Sequence, residues 1–155
     1  MKKILMVLLF ISSVLQAKEL VTEDFTDVVS PGEKVTSNYA QEMLNELNMI
    51  REWYDCEKLV LYERLECAAV THSNDIGENR ICSGKGTDGS TMDSRADRCA
   101  TVAFGQFVAC GHTSAKAAVY SWTKDYSNRK FVLDPRLKKI GVGMHNNYWT
   151  VVFSY

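Results

Sequence analysis

The last sixteen residues of the chain limit its fold more than any other stretch. Ile140, Val142 and Met144 alternate with Gly141 and Gly143. After His145-Asn146-Asn147, Trp149, Val151, Phe153 and Tyr155 alternate in the same way. Period-two patterning on both sides of an Asn-rich turn predicts an antiparallel hairpin with an apolar face. An isolated hairpin is at best marginally stable in water, so this face must be covered by other parts of the chain.

The covering elements are helical. Tyr39, Met43, Leu47, Ile50 and Tyr54 recur on one helical face, which predicts a first helix ending near Trp53. Asn38 followed by Gln41 resembles a capping box at its start. Leu59-Val60-Leu61 reads as a short strand, followed by a second helix with Leu65, Ala69, His72 and Ile76 on one stripe. His72 is read there as a structural histidine. Gly77 and Asn79 suit the end of that helix. Met92, Ala96 and Cys99 allow a short helix, and Phe104 to Cys110 a strand. Thr113 or Ser114 can cap a third long helix with the stripe Ala115, Ala118, Trp122 and Tyr126. The fold class is therefore α+β, with helices layered on a central antiparallel sheet.

The N-terminus is read as a separate segment. Lys2 and Lys3 precede an apolar run from Ile4 to Ile11, and small residues lead to Ala17. This is the pattern of a secretory signal peptide over residues 1–17, followed by an exposed lead-in over 18–35 and a folded domain over 36–155. The apolar run is too short to span a bilayer. Without the leader the chain is mildly acidic. Even the full chain carries a net charge of −1, which excludes a basic nucleic-acid-binding surface as the main theme.

Export places Cys56, Cys67, Cys82, Cys99 and Cys110 in an oxidising compartment. Five cysteines allow at most two bridges and leave one thiol over; spacing does not select the pairing. Cys82–Cys99 is the expected bridge, because it would close the glycine-rich loop onto the short helix after it.

That loop contains Gly84, Gly86 and Gly89 in the order G-x-G-x-x-G. A dinucleotide fingerprint follows a buried strand and has an acid about 20 residues later. Here a polar helix end precedes the glycines, and Val108, Ala109 and Cys110 stand where the acid is expected. Lys85 is followed by Gly86, so there is no P-loop either. Asp88, Asp93 and Asp97 lack the spacing of a calcium loop. Cys110-x-His112 with Cys82 or Cys99 has zinc-binding chemistry, but bridged cysteines are the better reading in an oxidising compartment.

From Met43 to Tyr155 the chain resembles the CAP superfamily of cysteine-rich secretory proteins, insect venom antigens and pathogenesis-related plant proteins, in its short bacterial branch. The resemblance runs through Leu44-Asn45, Asn48-x-x-Arg51 and Leu65-x-x-Ala68-Ala69-x-x-His72. It continues through Asp88-Gly89-Ser90-Thr91 with Arg95, then Gly105-Gln106-Phe107-Val108-Ala109. Val119-x-x-Trp122, Ile140-Gly141-Val142-Gly143, Tyr148-Trp149 and Phe153 complete it.

The resemblance implies a three-layer α-β-α sandwich and a surface cavity lined by two histidines and two acids. The glycine loop then leads into a helix and has no phosphate to hold. Carried over by position, the cavity set falls on Gly84, Gln106, Asp125 and Asn128. One carboxylate remains and no imidazole. Glutamine and asparagine keep hydrogen-bonding shape but supply neither a basic ligand nor a titrating base. His112 is the only histidine near the Gln106 strand and is a candidate extra cavity residue. The expectation is an exported monomer, without metal or cofactor, that binds an envelope, lipid or protein ligand. The alternative is a metal-assisted hydrolase acting on peptide or peptidoglycan through a relocated site.

Overall fold

The C-terminal hairpin is the centre of the molecule. In the computed structural model, which describes residues 37–155, it consists of β3 (Lys139–His145) and β4 (Tyr148–Ser154). The leader and lead-in read from the sequence lie outside the described residues. His145 pairs with Tyr148, so the turn contracts to Asn146 and Asn147, with φ of 51° and 66°. Asparagine tolerates this left-handed conformation, and two such residues make the turn that follows natural strand twist.

β2 (Gly105–Cys110) runs antiparallel along the other side of β4. β1 (Val60–Leu61) lies at the opposite edge and pairs with β3 in parallel, giving the order β1-β3-β4-β2. The sheet is antiparallel apart from this two-residue pair.

Helices cover both faces. On one side α1 (Asn38–Trp53), α4 (Ala115–Thr123) and α5 (Tyr126–Val132) contribute Met43, Leu47, Val119, Trp122 and Val132 to a core with Val142, Val151 and Phe153. On the other side α2 (Glu63–Asn79) and α3 (Met92–Arg98) pack Leu65, Ala69 and Ala96 against Val152. This is a three-layer α-β-α sandwich. The alternating glycines of β3 are what let α2 approach: a Cβ at Gly141 would lie 2.0 Å from the Leu65 carbonyl carbon, and one at Gly143 2.4 Å from the Ala69 oxygen.

Several local expectations change. Asn38 and Gln41 do not form a capping box. Ser37 holds the N-cap position without a side-chain cap bond, and the two amides bond one turn ahead, to Glu42 and Asn45. Gly77 is not a helix terminus but a buried position within α2, where a Cβ would come 2.6 Å from the His145 oxygen. The helix ends at Asn79, as expected, and its C-cap Arg80 takes the left-handed conformation. The predicted third long helix is two helices. Ser114 caps α4, and Asp125 breaks the run by capping α5.

The disulfides are Cys67–Cys99 and Cys82–Cys110, with Cys56 free. The expected Cys82–Cys99 bridge is therefore wrong. α3 returns Cys99 to α2, where Cys67 is 6.0 Å away between Cα atoms. The chain after α2 instead passes the end of β2, bringing Cys82 within 5.9 Å of Cys110. Both distances are ordinary for a bridge. These pairings occupy all three thiols of the zinc set considered with His112.

Candidate functional site

Gly84 and Gln106 meet around Arg95. The Arg95 guanidinium is buried between the glycine loop and β2, and the groups it donates to are all uncharged. Its Nη1 donates to the Ser90 carbonyl at 2.9 Å and the Ser90 hydroxyl at 3.0 Å. Its Nη2 donates to the Gly84 carbonyl at 3.0 Å and to Gln106 Oε1 at 2.7 Å. Gln106 Nε2 donates in turn to the same Gly84 carbonyl at 3.2 Å. Burial pulls the Arg95 pKa down, against the raising effect of Asp88. Both ends of the Gln106 amide are thus committed to holding the loop.

Asp125 and Asn128 form a second pair. Asp125 accepts the Asn128 backbone N–H at 3.0 Å as the N-cap of α5, and the Asn128 side chain is half-buried in the first turn. No hydrogen bond or ion pair joins this pair to Gln106 among the described residues. His112 lies just beyond β2, where its carbonyl accepts from Trp149 Nε1 at 2.7 Å. The residues at the family's cavity positions do not fit a metal. They offer one carboxylate, already used as a cap, two carboxamides and a glycine, and no group of three metal-binding side chains occurs among the described residues.

A small polar cavity of about 130 Å³ lies beside Arg95, lined by Thr71, His72, Asp75, Asp88, Ser90 and Arg95 itself. Asp75 takes the Thr87 backbone N–H at 2.8 Å and its hydroxyl, pinning the loop to α2. His72 is fully buried, with Nε2 2.9 Å from the Ser83 carbonyl. A carbonyl can only accept, so the proton is on Nε2. The neutral ring then leaves Nδ1 bare and without a partner. Burial, reinforced by the Arg95 charge, holds the His72 pKa below the ordinary imidazole value of 6.5; the Ser83 contact, Asp75 and Asp88 act the other way. His72 thus lies buried on the helix stripe read from the sequence.

A larger feature was not foreseen. Two open cavities, of about 770 and 600 Å³, adjoin across Tyr54 and Arg129 between the end of α1 and helices α4 and α5. Their walls carry Trp53, Tyr120, Tyr126 and Tyr54, which are 84%, 71%, 69% and 58% exposed. Helical spacing put Tyr54 and Tyr126 on core stripes. Both lie where helical geometry stops: Tyr54 is the C-cap of α1, and Tyr126 opens α5 after the Asp125 break. The readable signal was that Asp125, a good N-cap residue, stands immediately before Tyr126.

Solved structures of bacterial proteins share this architecture. An extracellular protein containing an SCP domain from Bacillus anthracis matches with a TM-score of 0.69 and 24% identity, over 74% of this chain and 39% of that one. An outer surface protein from Borrelia burgdorferi matches with a TM-score of 0.62 and 21% identity, over 73% and 89% of the two chains. A cysteine-rich secretory protein from Staphylococcus aureus matches with a TM-score of 0.59 and 14% identity, over 76% and 40%. The matched part of this chain thus spans about two fifths of the length of the Bacillus and Staphylococcus proteins. No curated protein sequence matches it. No helix among the described residues is long and apolar enough to cross a membrane. The CAP sequence family, described as the cysteine-rich secretory protein family, matches residues 44–155, and the chain belongs to that family.

Proposed function

We propose that this protein is an exported, monomeric, non-catalytic CAP-domain protein that binds a ligand of the cell envelope, a lipid or another protein. The observation that carries the reading is the commitment of Gln106. Where the resemblance calls for an acid, its carboxamide is bonded to Arg95 and Gly84 and has no proton to give or take near neutral pH. Gly84 and Asn128 stand where imidazoles would be, and Asp125 is engaged as a helix cap. Export follows from the leader over residues 1–17, and is supported by two disulfides and by extracellular neighbours.

Calorimetry with zinc at neutral pH tests this together with a peptidoglycan and peptide hydrolysis assay. The native protein is expected to show neither micromolar zinc binding nor turnover. Asp125→Ser is the informative variant, because serine keeps the N-cap and removes the carboxylate. Zinc binding or hydrolysis that disappears in Asp125→Ser would overturn the reading and restore a metal-assisted hydrolase, with His112 the first relocated ligand to examine.

A further inference from the structure

The aromatic trough between α1, α4 and α5 carries cations without counter-charges. Lys124, Arg129 and Lys130 line it, and none has an ion pair among the described residues. Arg129 Nη1 donates to the Thr123 carbonyl at 3.1 Å, and its guanidinium lies 5.9 Å from the centre of the Tyr126 ring. The one carboxylate in the lining, Asp134, is held by Arg136. In a chain of net charge −1, three unpaired cations among exposed aromatic rings mark a surface complementary to an anion. Clustered exposed aromatics also signal a binding face more strongly than scattered ones do.

The backbone narrows the choice of ligand. A peptide bound in extended, strand-like form relies largely on main-chain hydrogen bonds. The connection at the trough floor has little to offer: Arg51 takes the carbonyls of Val132 and Asp134 at 2.6 and 3.0 Å, and Cys56 takes that of Leu133. The interior turns of the helical walls satisfy their own backbone. The surface offers ring faces, on which the C–H faces of sugars can stack, and cations for acid groups. Two adjoining cavities suit a chain of repeating units.

We propose that this trough binds a linear acidic polysaccharide, with Trp53, Tyr120 and Tyr126 as stacking platforms and Lys124 and Lys130 as the anion contacts. The proposal deepens the binding role above and rests on it, but its readout involves neither zinc nor hydrolysis, so each can fail alone.

The test is binding of the full mature protein to immobilised polygalacturonate, with neutral dextran, polyglutamate and vesicles of three parts phosphatidylcholine to one part phosphatidylglycerol as comparators. Polygalacturonate is expected to bind best, and less tightly as salt rises. The exposed-site double variants Lys124→Glu/Lys130→Glu and Trp53→Ala/Tyr120→Ala should each lower its affinity by about tenfold or more, with unchanged thermal unfolding. The charge pair tests electrostatics and the aromatic pair tests stacking. Four results would overturn the proposal: no binding to polygalacturonate; equal binding to dextran; tighter binding to polyglutamate or to the vesicles, which would indicate an acidic protein or a membrane; or polygalacturonate affinity unchanged in either variant.

Discussion

His72 and the two buried arginines are polar groups held away from bulk solvent, and they meet the cost differently. Arg51 donates to four backbone carbonyls, of Glu57, Val132, Asp134 and Leu137, and so ties the end of α1 to the chain between α5 and β3. Arg95 does the same for the glycine loop with five-residue reach to Ser90. His72 stays neutral. Its folded pKa is lowered, so the unfolded chain binds a proton first as pH falls. The stability owed to the neutral ring is therefore complete above about pH 6.5 and is lost progressively below it, until the folded pKa is passed. One proton limits the slope to about 1.4 kcal/mol per pH unit. Urea unfolding at a series of pH values should show a shallower loss as pH falls below about 6.5 in His72→Gln, which can still donate to Ser83 but does not titrate. An identical slope in the variant would mean that other groups carry the acid sensitivity.

Among the elements, β3 and α2 make the most demanding fit. Gly141 and Gly143 are not turn residues. They remove side chains where the helix backbone lies against the sheet, and Gly77 does the same from the helix side toward His145. Gly143→Ala should destabilise the fold by about 3 kcal/mol or more, since backbone atoms on both sides must move to admit a methyl group. Gly84→Ala is the matched control. Its new Cβ would have only Gln106 Nε2 within 4 Å, at 3.4 Å, so thermal unfolding should change little. Comparable losses at both positions would show that general glycine effects, rather than the α2–β3 approach, set the cost.

For the molecule entire, the two disulfides join the layer of α2 and α3 to itself and to the sheet edge. Cys67–Cys99 clamps α3 to α2, and Cys82–Cys110 clamps the approach to the glycine loop onto β2. Their sequence separations of 32 and 28 residues correspond to about 3.6 kcal/mol each in the chain-entropy account. Non-reducing peptide mapping should recover these two pairs with Cys56 as the free thiol, and reduction should lower the melting temperature by well over 10 °C. Recovery of a Cys82–Cys99 peptide would contradict the observed path of the chain.

The short-range features of this protein were legible along the chain because each obeys a local period or a local chemical preference. The terminal hairpin, the stripes of α1 and α2 and the Ser114 cap all belong to this class, whereas the cavity positions Gly84, Gln106, Asp125 and Asn128 were named only through the family resemblance. What depended on the folded arrangement was everything set by distant parts of the chain. Cysteine spacing could not choose among pairings, since α3 had first to turn back on α2. Tyr54 and Tyr126 kept the rhythm of a core stripe, yet stand in the open because α1 ends and α5 begins at those positions. The arginine clamps and the unpaired cations of the trough likewise depend on side chains that meet only when separate helices pack, and no local pattern records that meeting.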